Sequence, residues 1–322
     1  VDPLIRGGGD IAWKEGVRRN FHVWRIIGTA VIFPRLSGFW IFIGQIQIYV
    51  NKDVVLMRKC GAYIKLYLLF QMQNIQSLAQ YRTDFLIMIF FTLFSQGCNL
   101  GLIGIIYSNI PQVGGWTMWE IFLLYGFLLF SEGVINFFFQ GAWKITNMIH
   151  MADLDRFLVR PVPVGLQLLT AKIDFDGLNK MVIAAAVLIA GFGKCEIQWD
   201  VIKVILLFVF LAEACILRVC MIWIASCVSF WMEGKKNSLN YFVISLGEMA
   251  KYPLVIYPPL FQGIFGYLIP YAFVSFYPVG YLLGKEGSKT GALCIPFICM
   301  AMLAVACVVL RSGLRNYESS SY

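Results

Sequence analysis

The sequence predicts an all-α polytopic membrane protein: six transmembrane helices, an N-terminal interfacial helix, a cytoplasmic docking helix after the second span, and re-entrant helices before the last. Three observations predict it. Of 322 residues, 59% are hydrophobic and 14% charged, whereas a soluble domain carries roughly 25% charged residues to cover itself in water. The apolar residues come in long runs, several sufficient for the ~30 Å hydrocarbon core. The Lys and Arg residues gather in alternate connections, the pattern of cytoplasmic loops.

The net charge of +8, from 26 basic and 18 acidic residues, would in a soluble chain point to nucleic acid. Here no stretch interleaves basic and aromatic residues outside the apolar runs, and that class is excluded. Cys98, Cys215, Cys220, Cys227, Cys294, Cys299 and Cys307 lie within apolar runs, where cysteine acts as a small hydrophobe. With no CxxC pair and only His22 and His150 to supply imidazole, no zinc ligand set exists, and Cys195 has no evident partner in its loop. The stretch from Gly284 to Thr290 ends in Lys-Thr. A phosphate-cradling loop needs glycine just before that pair and another five positions earlier, where this chain has Ser288 and Leu283. The chain is therefore expected to be no enzyme, with no ATPase motif and no cofactor of its own.

The elements follow in order. Residues 1–56 hold seven basic residues before Lys52 is passed, and their cleanest apolar run, 36–50, is short for a span. Met57 is the first methionine, so 1–56 reads as an extension before the natural start; an additional amphipathic anchor is the other reading. Residues 57–82 mix Arg58, Lys59, Lys65 and Arg82 with apolar positions at three- and four-residue spacing, as in a helix lying on the membrane surface. The first span is 85–107, without a charge. A neutral loop, 108–117, leads to Trp116 and Trp119 at the interface and to the second span, about 118–141. The polar connection 142–180 precedes a weaker third span, 178–193; the fourth is 201–232. Residues 238–284 are apolar but broken by Pro253, Pro258, Pro259, Pro270 and Pro278. They read as one span followed by a re-entrant pair of short helices, with two spans and a miscounted neighbour as the alternative. The last span is 291–310. Basic residues concentrate in 57–82, 142–180, 233–236 and the tail from Arg311, while 108–117 has none, which places both ends of the 57–322 body in the cytoplasm.

Ionisable groups inside spans are the first functional candidates, since each costs ~2.5 kcal/mol or more at the bilayer centre. They are Glu132, Glu213, Arg218, Glu248 and Lys251. Glu248 and Lys251, three apart, share a helical face and can pair. Glu213 and Arg218, five apart, are less well aligned and can face partners on other spans. Internal pairing that fixes helix packing and a polar substrate route are both open. The second candidate is the loop Met151-Ala-Asp-Leu-Asp-Arg-Phe-Leu-Val-Arg-Pro-Val-Pro163. Ile145, Met148, Ile149, Ala152 and Phe157 can lie on one side of a short helix with Asp153 and Arg156 near the other, ended by Pro161 and Pro163. Such a helix suits docking of a soluble partner; an ordinary solvated loop is the bland alternative.

Tyr81-Arg-Thr-Asp-Phe85, Gly115-Trp-Thr-x-x-Glu120, Leu154-Asp-Arg-Phe-Leu-Val-Arg-Pro161, Tyr252-Pro253 with Ile256-Tyr257, Ile269-Pro-x-Ala-Phe-Val274 and Tyr277-Pro278 occur in that order. Together they resemble the permease subunits of bacterial ATP-binding-cassette exporters of the ABC type-2 class, over about 57–315. The resemblance implies a six-span permease with a cytoplasmic coupling helix. Asp153, Asp155, Arg156 and Arg160 would then transmit ATPase closure, and Glu132, Glu213, Arg218, Glu248 and Lys251 would line the path or pair within it. It further implies two permease subunits, identical or paralogous, and two separate ATPase subunits carrying ATP and Mg, in the bacterial cytoplasmic membrane among its lipids. The rival function is an ATP-independent secondary transporter or assembly scaffold. Secondary transporters often interrupt spans in matching positions of both halves, and only one proline-broken region is present here.

Overall fold

A computed structural model of the chain describes residues 82–151, 153–160, 163–232 and 238–317. The extension 1–56 and the surface helix expected over 57–82, Arg82 apart, lie outside the described residues. Among those described there is no β-strand. The helices are α1 (Arg82–Asn109), α2 (Met118–Phe138), α3 (Gly141–His150), α4 (Asp155–Leu158), α5 (Val164–Leu169), α6 (Asp176–Lys194), α7 (Val201–Cys227), α8 (Leu239–Met249), α9 (Pro259–Gly263), α10 (Phe276–Leu282) and α11 (Ser288–Arg315).

Among the described residues, five helices are long and apolar enough to cross a membrane: Phe85–Asn109, Met118–Phe138, Asp176–Lys194, Val201–Trp231 and Ser288–Arg315. At ~1.5 Å per residue the shortest, α6, just reaches the thickness of the hydrocarbon core. Their ends are set by local chemistry. The Glu120 carboxylate accepts a hydrogen bond from the Thr117 backbone N–H at 2.8 Å, closing the start of α2. The Asp200 carboxylate does the same for Val201 N–H at the start of α7. Gly287, at φ +79°, turns the chain into α11 through the left-handed region, which costs a glycine little.

Two apolar clusters stack along the bundle. One takes the central and far parts of α2, α6, α7, α10 and α11. The other joins Ile135, Ala142, Ile145, Leu154, Phe157, Cys227, Phe230 and Ala306, with Leu310 and Leu314 packed on it. The end of α11 thus lies on the same face as the connection after α2, here the basic face. The opposite, far face holds the turn before α2 and the turn before α11, where Lys285 reaches Gly115 O at 2.8 Å. Helices α7 and α11 pack together and run in the same direction, so the chain between them makes a net crossing.

That crossing differs from the expected single span. No helix in 238–284 is long enough alone; α8 has 11 residues, about 16 Å. It begins beside the basic-face end of α7, where Asn240 bonds Ser226 at 2.9 Å. It stops at Met249, three residues before Tyr252 and four before Pro253, because the residue preceding a proline disfavours helix. A 3₁₀ turn (Leu254–Ile256), α9 with the π turn Ile264–Leu268, a second 3₁₀ turn (Tyr271–Phe273) and α10 complete the passage. The pieces Pro259–Gly266 and Tyr271–Leu282 meet at 70°, the bent pair expected from the prolines. Pro259 opens α9, and Pro278 falls in the first turn of α10, positions where a missing N–H costs no helical bond.

Candidate functional site

Two groups of side chains qualify, one inside the bundle and one on the basic face. The internal group is arranged in levels along α2. At the lowest level the Glu132 carboxylate accepts from Lys180 of α6 at 2.8 Å and from Arg218 of α7 at 3.0 Å. Lys180 also holds Asp176, one turn back on α6, at 2.7 Å, and the Thr92 hydroxyl of α1 donates to Asp176. Four helices are tied through two carboxylates and two cations. Arg218, only 2% exposed, also donates to Leu128 O at 3.4 Å and lies over the Tyr271 ring.

The middle level lies seven residues further along the same face of α2. There the Tyr125 hydroxyl donates to Gln96 of α1, and Lys251 sits over the Tyr125 ring at 5.3 Å. Lys251 bonds Glu248, the pair anticipated from spacing, and donates to Asn99 of α1 at 3.2 Å. At the far face Lys285 bonds Glu120 at 2.9 Å and stands over Trp116 at 4.3 Å. Glu120 therefore caps its own helix and anchors the turn before α11.

Glu213 stands apart. It does not pair with Arg218, whose charge is taken by Glu132. The Cys299 thiol donates to the Glu213 backbone carbonyl at 3.7 Å, and the buried Glu213 Oε2 has no hydrogen-bond partner among the described residues. Five residues correspond to 500°, which turns Glu213 well away from the Arg218 face. Sequence reasoning missed Lys180, Asp176, Thr92, Gln96 and Asn99. The Asp176/Lys180 spacing of four was a usable signal, hidden because the third span is weakly apolar at that end.

The basic-face group is built on α3, which buries Ala142, Ile145 and Met148 and links Thr146 to Ser229 at 2.9 Å. The expected single helix through Phe157 is corrected: α3 stops at His150, and α4 is a separate turn, Asp155–Leu158. Periodicity gives the reason. Leu154 stands nine residues after Ile145, half a turn out of phase, and a continuous helix would point it away from the cluster. With the break both are fully buried, at 0% exposure. Pro163 serves as N-cap of α5; Pro161 and Ala152 are outside the described residues.

The loop's charges are outside this cluster. Arg156 pairs with Asp153 at 3.7 Å, both half-exposed. The Arg156 and Arg160 guanidinium groups flank the Phe157 ring at 5.1 and 5.7 Å, with Phe157 itself buried below. Asp155 faces Tyr317, just past α11; burial, then that carboxylate, push the Tyr317 phenol up to about 12. Met151 and Val159 stand 77% and 84% exposed beside the arginines. Apolar tips ringed by charge, on a rigid base, form a surface suited to protein contact. Among the described residues no cluster of His, Cys, Asp and Glu is placed to hold a metal ion.

Residues 86–321 match the profile of the family described as ABC-2 family transporter protein. The chain belongs to that family. The matched range takes in nearly all of α1 and every helix after it, so the charged column and the basic-face loop are both parts of the ABC-2 transporter fold. The chain is thus a multi-pass membrane permease. No curated protein and no solved structure matches it.

Proposed function

We propose that this ABC-2 permease is the transmembrane subunit of an ATP-driven exporter, with a separate ATPase docked on the basic face. The carrying observation is the loop 151–160: exposed Met151 and Val159 beside Arg156 and Arg160, above Leu154 and Phe157 that are packed against the ends of α2, α7 and α11. A push on those tips is delivered to three spans at once. Asp153 and Asp155 hold the loop in shape through Arg156 and Tyr317. ATP and Mg belong to the ATPase subunits, and two permease subunits enclose the path. The basic face is cytoplasmic by its charge, in a bacterial cytoplasmic membrane.

The ionic column is read as the tie that makes α1, α2, α6 and α7 move together, with the internal-pairing role ahead of a substrate-lining one. Glu132, Arg218 and Lys180 satisfy one another, which leaves little charge to offer a solute. The test is co-purification with a candidate ABC ATPase subunit co-expressed with this chain. The double variant Arg156→Glu/Arg160→Glu is expected to lose the complex and its stimulated ATP hydrolysis while still folding. An intact complex with unchanged ATP hydrolysis would refute the docking role.

A further inference from the structure

Consecutive helices α6 and α7 both pack on α2 but scarcely on each other. The gap between them is a groove of about 540 Å³ with a wholly apolar lining. Phe130 forms its floor, Leu188 and Phe192 one wall, and Leu207, Leu211 and Cys215 the other. Water does not fill such a space: an apolar cavity stays dry, although one water needs only about 30 Å³. In a membrane the molecule at hand is lipid. The wall residues of α7 recur every four positions, and one step further toward the far face on that stripe is Lys203. Lys203 is half-buried where its neighbours Val201, Ile202, Val204 and Ile205 are exposed, and it has no ion pair or hydrogen bond among the described residues. Trp199, beyond the same end, meets Phe192 edge to face at 5.2 Å. The far-face end of the groove thus has a free ammonium one step along its α7 stripe and an interfacial indole against Phe192 of its α6 wall.

We propose that this groove is a phospholipid site: one acyl chain of a far-leaflet phospholipid lies between α6 and α7, with its phosphate at Lys203. The lipid completes the packing that the two helices do not make with each other. The site stands whether or not the transport reading above holds, since it rests only on the groove and its mouth.

The test reconstitutes the full chain in phosphatidylcholine vesicles containing phosphatidylglycerol with a photoreactive group midway along one acyl chain. Adducts are expected to concentrate in 185–192 and 207–215. Ala212→Trp, which fills the groove, is expected to abolish that concentration. Lys203→Glu should lower the phosphatidylglycerol adduct about fivefold, the worth of one lysine near an anionic surface, while Lys203→Arg retains it. Lys203 is outside the apolar core, so its variants report on binding even if Ala212→Trp fails to fold. Adducts spread evenly onto exposed α11 residues such as Phe297 and Met300 would overturn the site. So would a Cys215–Cys215 disulfide between copies, which would show that protein covers the groove. Equal loss in Lys203→Arg and Lys203→Glu would overturn the headgroup contact.

Discussion

Glu132 holds two cations, and the consequences of its removal differ from those at any other carboxylate in the spans. Glu132→Ala leaves Arg218 and Lys180 in an apolar bundle with only Asp176 and backbone carbonyls to face. Breaking a buried pair in this way costs about 3–5 kcal/mol. A large fall in thermal midpoint of the detergent-purified protein is expected. Glu132→Leu combined with Arg218→Met should recover much of it, because an apolar replacement of both partners leaves no orphaned charge. Glu213→Gln removes no ion pair, and its stability is expected to lie within about 0.5 kcal/mol of the parent's, with little change in midpoint. Equal effects of Glu132→Ala and Glu213→Gln would remove the distinction drawn between them. The sequence revealed that these five groups are unusual but not whom each one meets. Glu132 and Arg218 are 86 positions apart, and such a partnership depends on how three helices are turned about their axes. The pair Glu248–Lys251 was legible because residues three apart at a helix end meet without tertiary information, although Lys251 itself falls just past α8.

At the scale of elements, the spans were legible because lipid forces apolarity along a whole helix, independent of neighbours. The fifth crossing was legible only in outline. Its prolines mark where helices cannot run, yet they do not reveal that Lys251, just past the 11-residue α8, turns inward to Asn99 and Tyr125. The break between α3 and α4 was missed for a related reason. Ile145 and Leu154 are both buried, and only a break satisfies both. Leu154→Ala is accordingly expected to cost about 2–5 kcal/mol, the range for a core leucine. Val159→Ala, at 84% exposure, should leave stability unchanged within about 0.5 kcal/mol and weaken only the ATPase attachment. Helices α2 and α6 approach closely at Gly133 and Gly177: a Cβ added at Gly133 would stand 2.7 Å from Gly177 O. Small residues let membrane helices meet in this way. Gly133→Leu is expected to separate them, break the Glu132–Lys180 contact, and lower the yield of monodisperse protein. Unchanged yield and midpoint would show that the contact is not tight.

For the whole molecule, the ionic column and the basic-face cluster make one mechanical unit of the spans α2, α6 and α7, with α11 joined at its end. Met151 and Val159 are the exposed tips of that unit on the basic face, and the far-face Lys285–Glu120 tie closes the opposite end. The proposed docking turns on position: on that reading the tips at Met151 and Val159 are where an ATPase pushes. A photoreactive amino acid at position 159, in membranes holding the chain and its ATPase, tests it most directly, with position 286 in the far-face turn as the comparison. The account predicts an adduct with the ATPase from 159 whose yield changes when ATP is added, and none from 286. An ATPase adduct from 286, or only lipid adducts from 159, would contradict it.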